Sequence, residues 1–222
     1  MNSLYKKHTK FFKVVGLLFH FSGALQFTVG IVFDYQLIVP GQTFYLLQRL
    51  QYMTYWNLYL QWFYFTKRTI NDIMTFDDND EDETPKCVDY IKTSLAIPNA
   101  LTVSILFWTI YTLDPSLIHG GEPLPRYLNF VVHTSVSLLN LIELAIVKQR
   151  ICPQKKCLWI NFCFSLVFTA WFIAYNMTEN KWTYPFLDHL DILRKAVFFS
   201  SCCLMNFSLC ILGQNLQYLI WG

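Results

Sequence analysis

A threonine hydroxyl and a histidine imidazole are the two side chains of this sequence best suited to act together. Thr54 lies in Tyr52-Met53-Thr54-Tyr55-Trp56-Asn57, inside an apolar stretch that also carries Gln51, Asn57 and Gln61. At about 100° per residue, Gln51, Thr54, Asn57 and Gln61 fall within roughly a 120° arc of one helix face. His133 belongs to a second set with Asn129, Ser137, Asn140 and Glu143, again within about 120° of arc, while Thr134 and Ser135 fall outside it. A threonine is a weak nucleophile until a base takes its proton, and histidine is the usual base. Asn129, one turn before His133, is placed to orient the ring, and is equally suited to a helix N-terminus. Asn57 and Asn206 are candidate donors to a developing oxyanion.

Both sets sit in stretches long and apolar enough to cross a bilayer. A polar stripe there must face other helices or a cavity, because lipid would leave its groups unsatisfied. Two readings stand side by side: the stripes hold helices together as interhelical hydrogen bonds, or they build a reactive site. Glu143 is rare at such a position and is a functional candidate in its own right.

Composition agrees with a membrane protein. Only 14% of the residues are charged and 54% are hydrophobic, against about 25% charged in soluble domains. Apolar segments occupy most of the chain, at about residues 11–33, 45–65, 90–113, 127–147, 158–177 and 193–220. The fold predicted is therefore all-α: a polytopic membrane protein built as one bundle of six transmembrane helices. The first segment is too long for a signal-peptide core and lacks a small-residue cleavage site, so it reads as an anchor. Its Gly16, His20, Gly23 and Gly30 read as a packing face of small residues with a satisfied histidine.

Between the spans, Pro40-Gly41 marks a turn, and Pro98 should kink or break the third span. Pro115, Pro123 and Pro125 crowd the loop between residues 114 and 126. Residues 67–89 form a polar loop centred on the acidic run Asp77 to Glu83, which has neither the glycine nor the ligand spacing of an EF-hand. Of the seven cysteines, Cys163, Cys202, Cys203 and Cys210 lie in apolar spans. Cys152 and Cys157 flank a basic loop without the second ligand pair of a zinc site; they read as free thiols, with palmitoylation the alternative. No metal or other cofactor is called for. No basic patch with interleaved aromatics points to nucleic acid.

The N-terminal segment, the second loop and the fourth loop each hold four of the seventeen Lys and Arg residues. By the positive-inside rule both termini and residues 67–89 are expected in the cytosol. Thr54 then enters its span from the lumen at a depth of ~13 Å, and His133 at ~9 Å, so the two are expected to meet in the luminal half. Asn176-Met177-Thr178 is a luminal glycosylation sequon lying close to the membrane.

At these residues the chain resembles the androgen-induced-gene family of six-span membrane proteins. The likeness rests on Tyr52-Met53-Thr54-Tyr55, Phe107-Trp108-Thr109-Ile110-Tyr111, Asn129 to Thr134, Leu141-Ile142-Glu143, Tyr184 to His189 and Leu204-Met205-Asn206-Phe207. It implies a threonine hydrolase cleaving fatty acid esters of hydroxy fatty acids, with Thr54 as nucleophile and His133 as base. Bulky branched lipids would be preferred to ordinary glycerides, and the home membrane would be the endoplasmic reticulum, another endomembrane or the plasma membrane. Ser135 to Asn140 departs from the family pattern in lacking a proline, which bears on the acyl pocket more than on the chemistry. Two other functions fit the same sequence: a non-catalytic endomembrane regulator or scaffold, and a small lipid carrier or channel with Glu143 on its path.

Overall fold

Long apolar runs have one economical solution in a bilayer, the α-helix, which satisfies every backbone group within the segment. A computed structural model of the protein describes residues 2–37, 45–76, 86–118, 124–148, 150, 152–180 and 182–221. The turn at Pro40-Gly41, the acidic run Asp77 to Glu83 and Pro123 lie outside those residues. In chain order the helices are α1 (Asn2–Gln36), α2 (Tyr45–Leu50), α3 (Met53–Met74), α4 (Lys86–Ile91), α5 (Ile97–Leu113), α6 (Arg126–Phe130), α7 (Val136–Ile146), α8 (Gln154–Glu179), α9 (Pro185–Asp188) and α10 (Ile192–Trp221). Two π-turns, Lys92–Ala96 and Val131–Ser135, join α4 to α5 and α6 to α7 into continuous rods.

The bundle is all-α and apolar outside. Among the described residues, five helices are long and apolar enough to cross a membrane: Phe11–Gln36, Cys87–Leu113, Arg126–Ile146, Gln154–Glu179 and Ile192–Trp221. Their exposed side chains are lipid-compatible, as with Leu18, Phe21 and Leu25 on α1 or Val197 and Leu204 on α10. The protein is thus an integral, multi-pass membrane protein. α3 has the length for a crossing but carries Lys67, Arg68 and Asp72 and is not among those five.

The stretch expected as one helix over 45–65 is in fact two. The chain breaks at Gln51–Tyr52, with Tyr52 extended at φ −98° and ψ 130°, and α3 then runs on to Met74. Neither glycine nor proline marks the break. It is held instead by indole donors: the Nε1–H groups of Trp56 and Trp171 both bond the Leu50 carbonyl, at 2.7 and 3.0 Å. A broken backbone inside a bundle persists when side chains take over its freed groups.

Pro98 produces the expected interruption as a π-turn. Proline has no N–H to offer the carbonyl four residues back, here Ser94, and the Asn161 amide donates to that oxygen at 2.8 Å. Gln61 does the same for Ala96 O at 2.9 Å. α1 lies along α3, while α5 packs against α7 and α10, and α8 against α10. On α1, Gly23 lets the Phe65 ring approach and Gly30 admits Val131, but Gly16 faces open space and takes no part in packing. The core between them is Phe27, Leu58, Phe65, Leu128 and Val132, all fully buried.

Cys152 and Cys157 are buried against Cys210, and burial pushes the Cys152 thiol up to about 12. That environment suits an inert free thiol and offers no access for acylation. Asn176 is also buried; its amide donates to Phe172 O, and its oxygen accepts from the Thr183 backbone. The fold therefore does not present this sequon to a glycosyltransferase.

Candidate active site

The break before α3 decides where Thr54 stands. It is the second residue of α3 rather than a mid-span position, so its hydroxyl sits in the first turn, at the positive end of the helix dipole. His133 is carried by the second π-turn. An extra residue per turn re-aims the side chains that follow, and such turns recur at functional sites.

These two elements bring Thr54 and His133 together. Thr54 Oγ1 lies 3.3 Å from His133 Nε2. On the other side of the ring, His133 Nδ1 is 2.7 Å from Asn129 Oδ1. An amide oxygen only accepts, so Nδ1 carries the proton and Nε2 presents its lone pair to the threonine. The Phe107 ring stacks on the imidazole at a centroid distance of 3.5 Å and an interplanar angle of 7°, which fixes the ring plane. The histidine is 4% exposed.

The pair opens onto a cavity of about 610 Å³ between α3, α5, α8, α10 and the segment around α9, within the ~300–1,000 Å³ range of small-molecule sites. Aromatic and aliphatic side chains make most of its wall, among them Leu106, Phe107, Phe168, Phe172, Phe198 and Phe199. Polar groups are interspersed, Arg49, Asn99, Thr102, Thr183, Asn206 and Glu179 among them, beside Thr54 and His133.

Of the other expected donors, one is engaged by its neighbours and one lies away from the cavity. Asn206 reaches the wall, but its amide donates to Asn99 Oδ1 at 3.1 Å and Thr102 Oγ1 at 2.9 Å, while its oxygen accepts from Asn161. Asn57 is buried away from the cavity, beside Gln61. Tyr184 was not singled out as a donor from the sequence. It lies on the cavity wall beside the start of α3, with the Met53 backbone N–H directed at its phenol oxygen, and desolvation holds that phenol above its ordinary pKa. In the sequence it belongs only to the Tyr184 to His189 stretch that carries the family likeness.

The two polar stripes meet along their length, yet they do different things. Asn140 donates to Gln61 Oε1 at 2.9 Å, and Ser137 donates to Ala100 O at 2.9 Å. Glu143 lies in a separate ionic cluster, about 15 Å along α3 from Thr54 by helix rise. There Tyr64 Oη donates to Glu143 Oε1 at 2.5 Å, His20 Nε2 is 3.0 Å from the same oxygen and Lys92 Nζ is 3.5 Å away. His20 Nδ1 reaches Asp72, and Arg68 pairs with Asp89 at 3.3 Å. Acids and bases balance in this cluster, which ties α1, α3, α4, the first π-turn and α7 together. His20 is thus a satisfied packing histidine, and Glu143 stands outside the Thr54–His133 cavity.

Comparison with known proteins identifies relatives over most of the chain. The androgen-dependent TFPI-regulating protein of Mesocricetus auratus is 28% identical over 181 residues, 78% of each chain. The Homo sapiens protein of that name is 26% identical over 179 residues, again 78% of each. The androgen-induced gene 1 protein of Homo sapiens is 31% identical over 137 residues, 60% of this chain and 57% of that one. No solved structure matches significantly. The family model of FAR-17a/AIG1-like proteins matches residues 15–218, from the first turns of the first membrane helix to the last turn of the final one, and the chain belongs to that family.

Proposed function

We propose that this protein is an intramembrane carboxylic-ester hydrolase acting on fatty acid esters of hydroxy fatty acids, with Thr54 as nucleophile and His133 as general base. The observation that carries the proposal is the Thr54 Oγ1–His133 Nε2 approach of 3.3 Å at the wall of an apolar cavity, with the ring tautomer fixed by Asn129. The approach is longer than an ideal hydrogen bond, as is common for catalytic pairs before substrate binds.

In the first half-reaction His133 Nε2 takes the Thr54 hydroxyl proton as Oγ1 adds to the ester carbonyl. The oxyanion forms at the N-terminal end of α3, where the helix dipole and backbone N–H groups favour negative charge; the Tyr184 phenol, beside Met53 on the same wall, adds a donor. As the carbon–oxygen bond breaks, the imidazolium returns its proton to the departing alkoxide, which leaves as the hydroxy fatty acid. In the second half-reaction a water gives its proton to Nε2 and attacks the acyl-threonine. Thr54 leaves with that proton, releasing the fatty acid. One ester and one water give one acid and one alcohol, and no other reactant is consumed.

The cavity lining and the family resemblance support this lipid substrate class. Under the orientation predicted by the Lys and Arg distribution, the site lies in the luminal half, where the water for the second step is near. The test is turnover of a branched fatty acid ester of a hydroxy fatty acid by the purified protein, with capture of an acyl group on Thr54 by mass spectrometry. Full turnover by Thr54→Ala protein would overturn the assignment.

A further inference from the structure

The cavity wall holds a guanidinium that the ester chemistry does not use. Arg49 stands at the end of α2, five residues before Thr54, and its side chain is 23% exposed. Its Nη2 bonds Asp34 Oδ1 at 3.0 Å, and the Tyr55 hydroxyl donates to the same oxygen at 2.7 Å. The guanidinium also lies over the Tyr55 ring, 5.1 Å from its centroid. Asp34 is 2% exposed, at the last turn of α1. A buried carboxylate and an aromatic face thus hold a planar cation in one orientation at the rim of a mainly apolar chamber.

We infer that Arg49 is the anchor for the free carboxylate of an acidic lipid, so that the cavity selects amphiphiles with an anionic head over neutral esters and glycerides of the same chain length.

Three features carry this. A guanidinium presents five N–H donors in a fixed fork and can serve two carboxylates at once, here Asp34 and a ligand. It is already oriented by Asp34 and Tyr55, so little side-chain freedom remains to be lost on binding. Its partial burial strengthens a charge-assisted hydrogen bond relative to the same bond in water. The other charged side chain on the described wall, Glu179, is exposed at the end of α8 and is better solvated. With the head held at Arg49, the chain runs over Tyr55 and Thr54 into the aromatic part of the chamber. An acyl bond several carbons from the carboxylate would then lie at the Thr54 hydroxyl. What the anchored lipid undergoes there rests on the esterase proposal, whereas its capture does not.

The experiment separates the two. Purified full-length protein in phosphatidylcholine nanodiscs is loaded with a fluorescent fatty acid, which is displaced by oleic acid or by methyl oleate at a pH where the acid is ionised. A charge-assisted hydrogen bond of this kind predicts that oleic acid displaces at about tenfold lower concentration or less. The preference should vanish in Arg49→Met combined with Asp34→Asn, a pair that leaves no buried charge unpaired, and should be partly kept in Arg49→Lys. Size-exclusion profiles establish that each variant is folded. Equal displacement by acid and methyl ester in the wild type overturns the inference, as does a preference that survives in the double variant or in Arg49→Gln. Stronger displacement by a long-chain amine would assign the rim to Glu179 and overturn it as well. In parallel, a fatty acid ester of a hydroxy fatty acid is offered with its carboxyl end free and methylated. Loss of acid preference in turnover by the double variant supports the anchor. Absence of turnover of both forms by the wild type defeats the esterase proposal, and the displacement result still decides the role of Arg49.

Discussion

The His133 ring donates from Nδ1 to Asn129 Oδ1 at 2.7 Å and turns Nε2 towards the Thr54 hydroxyl at 3.3 Å. Asn129 and His133 are one turn apart on a single rod, whereas Thr54 comes from another helix. The orientation of the base is therefore built into one segment and its delivery to the nucleophile depends on how α3 packs. The first kind of change should alter rate alone; the second should alter assembly too.

Removing either partner of the pair should abolish most turnover. Loss of a general base lowers rate by about 10²–10⁴-fold, and His133→Ala should fall in that range. Thr54→Ala should lose the acyl-enzyme altogether, while Thr54→Ser, which keeps a hydroxyl, should retain part of the activity. Steady-state hydrolysis and intact-protein mass spectrometry read the two effects. A Thr54→Ala protein that still accumulates an acyl adduct at residue 54 is impossible, so an adduct elsewhere would name a different nucleophile.

Asn129 is a positioning residue, and its effect should appear in kcat rather than KM. A neutral hydrogen bond contributes about 0.5–1.5 kcal/mol, so Asn129→Ala should lower kcat by roughly tenfold or less. Asn129→Asp keeps an acceptor oxygen in place and should be the less damaged of the two. A rise in KM with kcat unaltered would place Asn129 in substrate binding instead.

Much of this arrangement was legible because helical periodicity is a local property. The inward-facing Asn57 and Gln61 on α3 and the set around His133 could be read from spacing alone, although Gln51 falls outside α3, and Pro98 announced its interruption through a missing N–H. The break at Gln51–Tyr52 could not be read. No glycine or proline signals it, and one of its two indole donors, Trp171, lies 121 residues from the carbonyl it caps. The partners of Glu143 were hidden for the same reason: His20, Tyr64 and Lys92 come from three separate segments. Asn206 was misjudged as a donor because hydrogen bonds to Asn99, Thr102 and Asn161 are tertiary facts. Spacing identifies which side chains face inwards, and only packing decides which of them remain available.

The ionic cluster should govern stability rather than chemistry. Glu143→Gln would leave Lys92 and His20 beside a neutral amide in a fully buried setting. Breaking a buried ion pair from one side costs about 3–5 kcal/mol, and the variant should unfold well below the wild type in detergent. Combining it with Lys92→Met removes the stranded ammonium and should recover part of the loss. Thermal unfolding followed by tryptophan fluorescence measures both. If Glu143→Gln instead unfolds with the wild type yet loses turnover, the cluster belongs to the reaction and its separation from the Thr54 cavity is functionally bridged.

The α1–α3 seam gives a test with a built-in control. A Cβ at position 23 would lie 2.5 Å from Phe65 Cδ1 and 2.8 Å from Cε1. Phe65 has little room to withdraw, being fully buried with the rings of Tyr64 and Phe27 at 5.4 and 5.5 Å. Overpacking of this kind costs about 1–3 kcal/mol, so Gly23→Ala should lower the unfolding temperature and, by pushing α1 off α3, weaken the His20–Asp72 contact beyond it. At position 16 a Cβ meets nothing within 4 Å. Gly16→Ala should then be neutral or stabilising by up to about 1 kcal/mol, the helix-propensity difference between the two residues. Equal destabilisation by both substitutions would mean that the glycines serve something other than the close approach of α1 to α3, such as a contact along the outer face of α1.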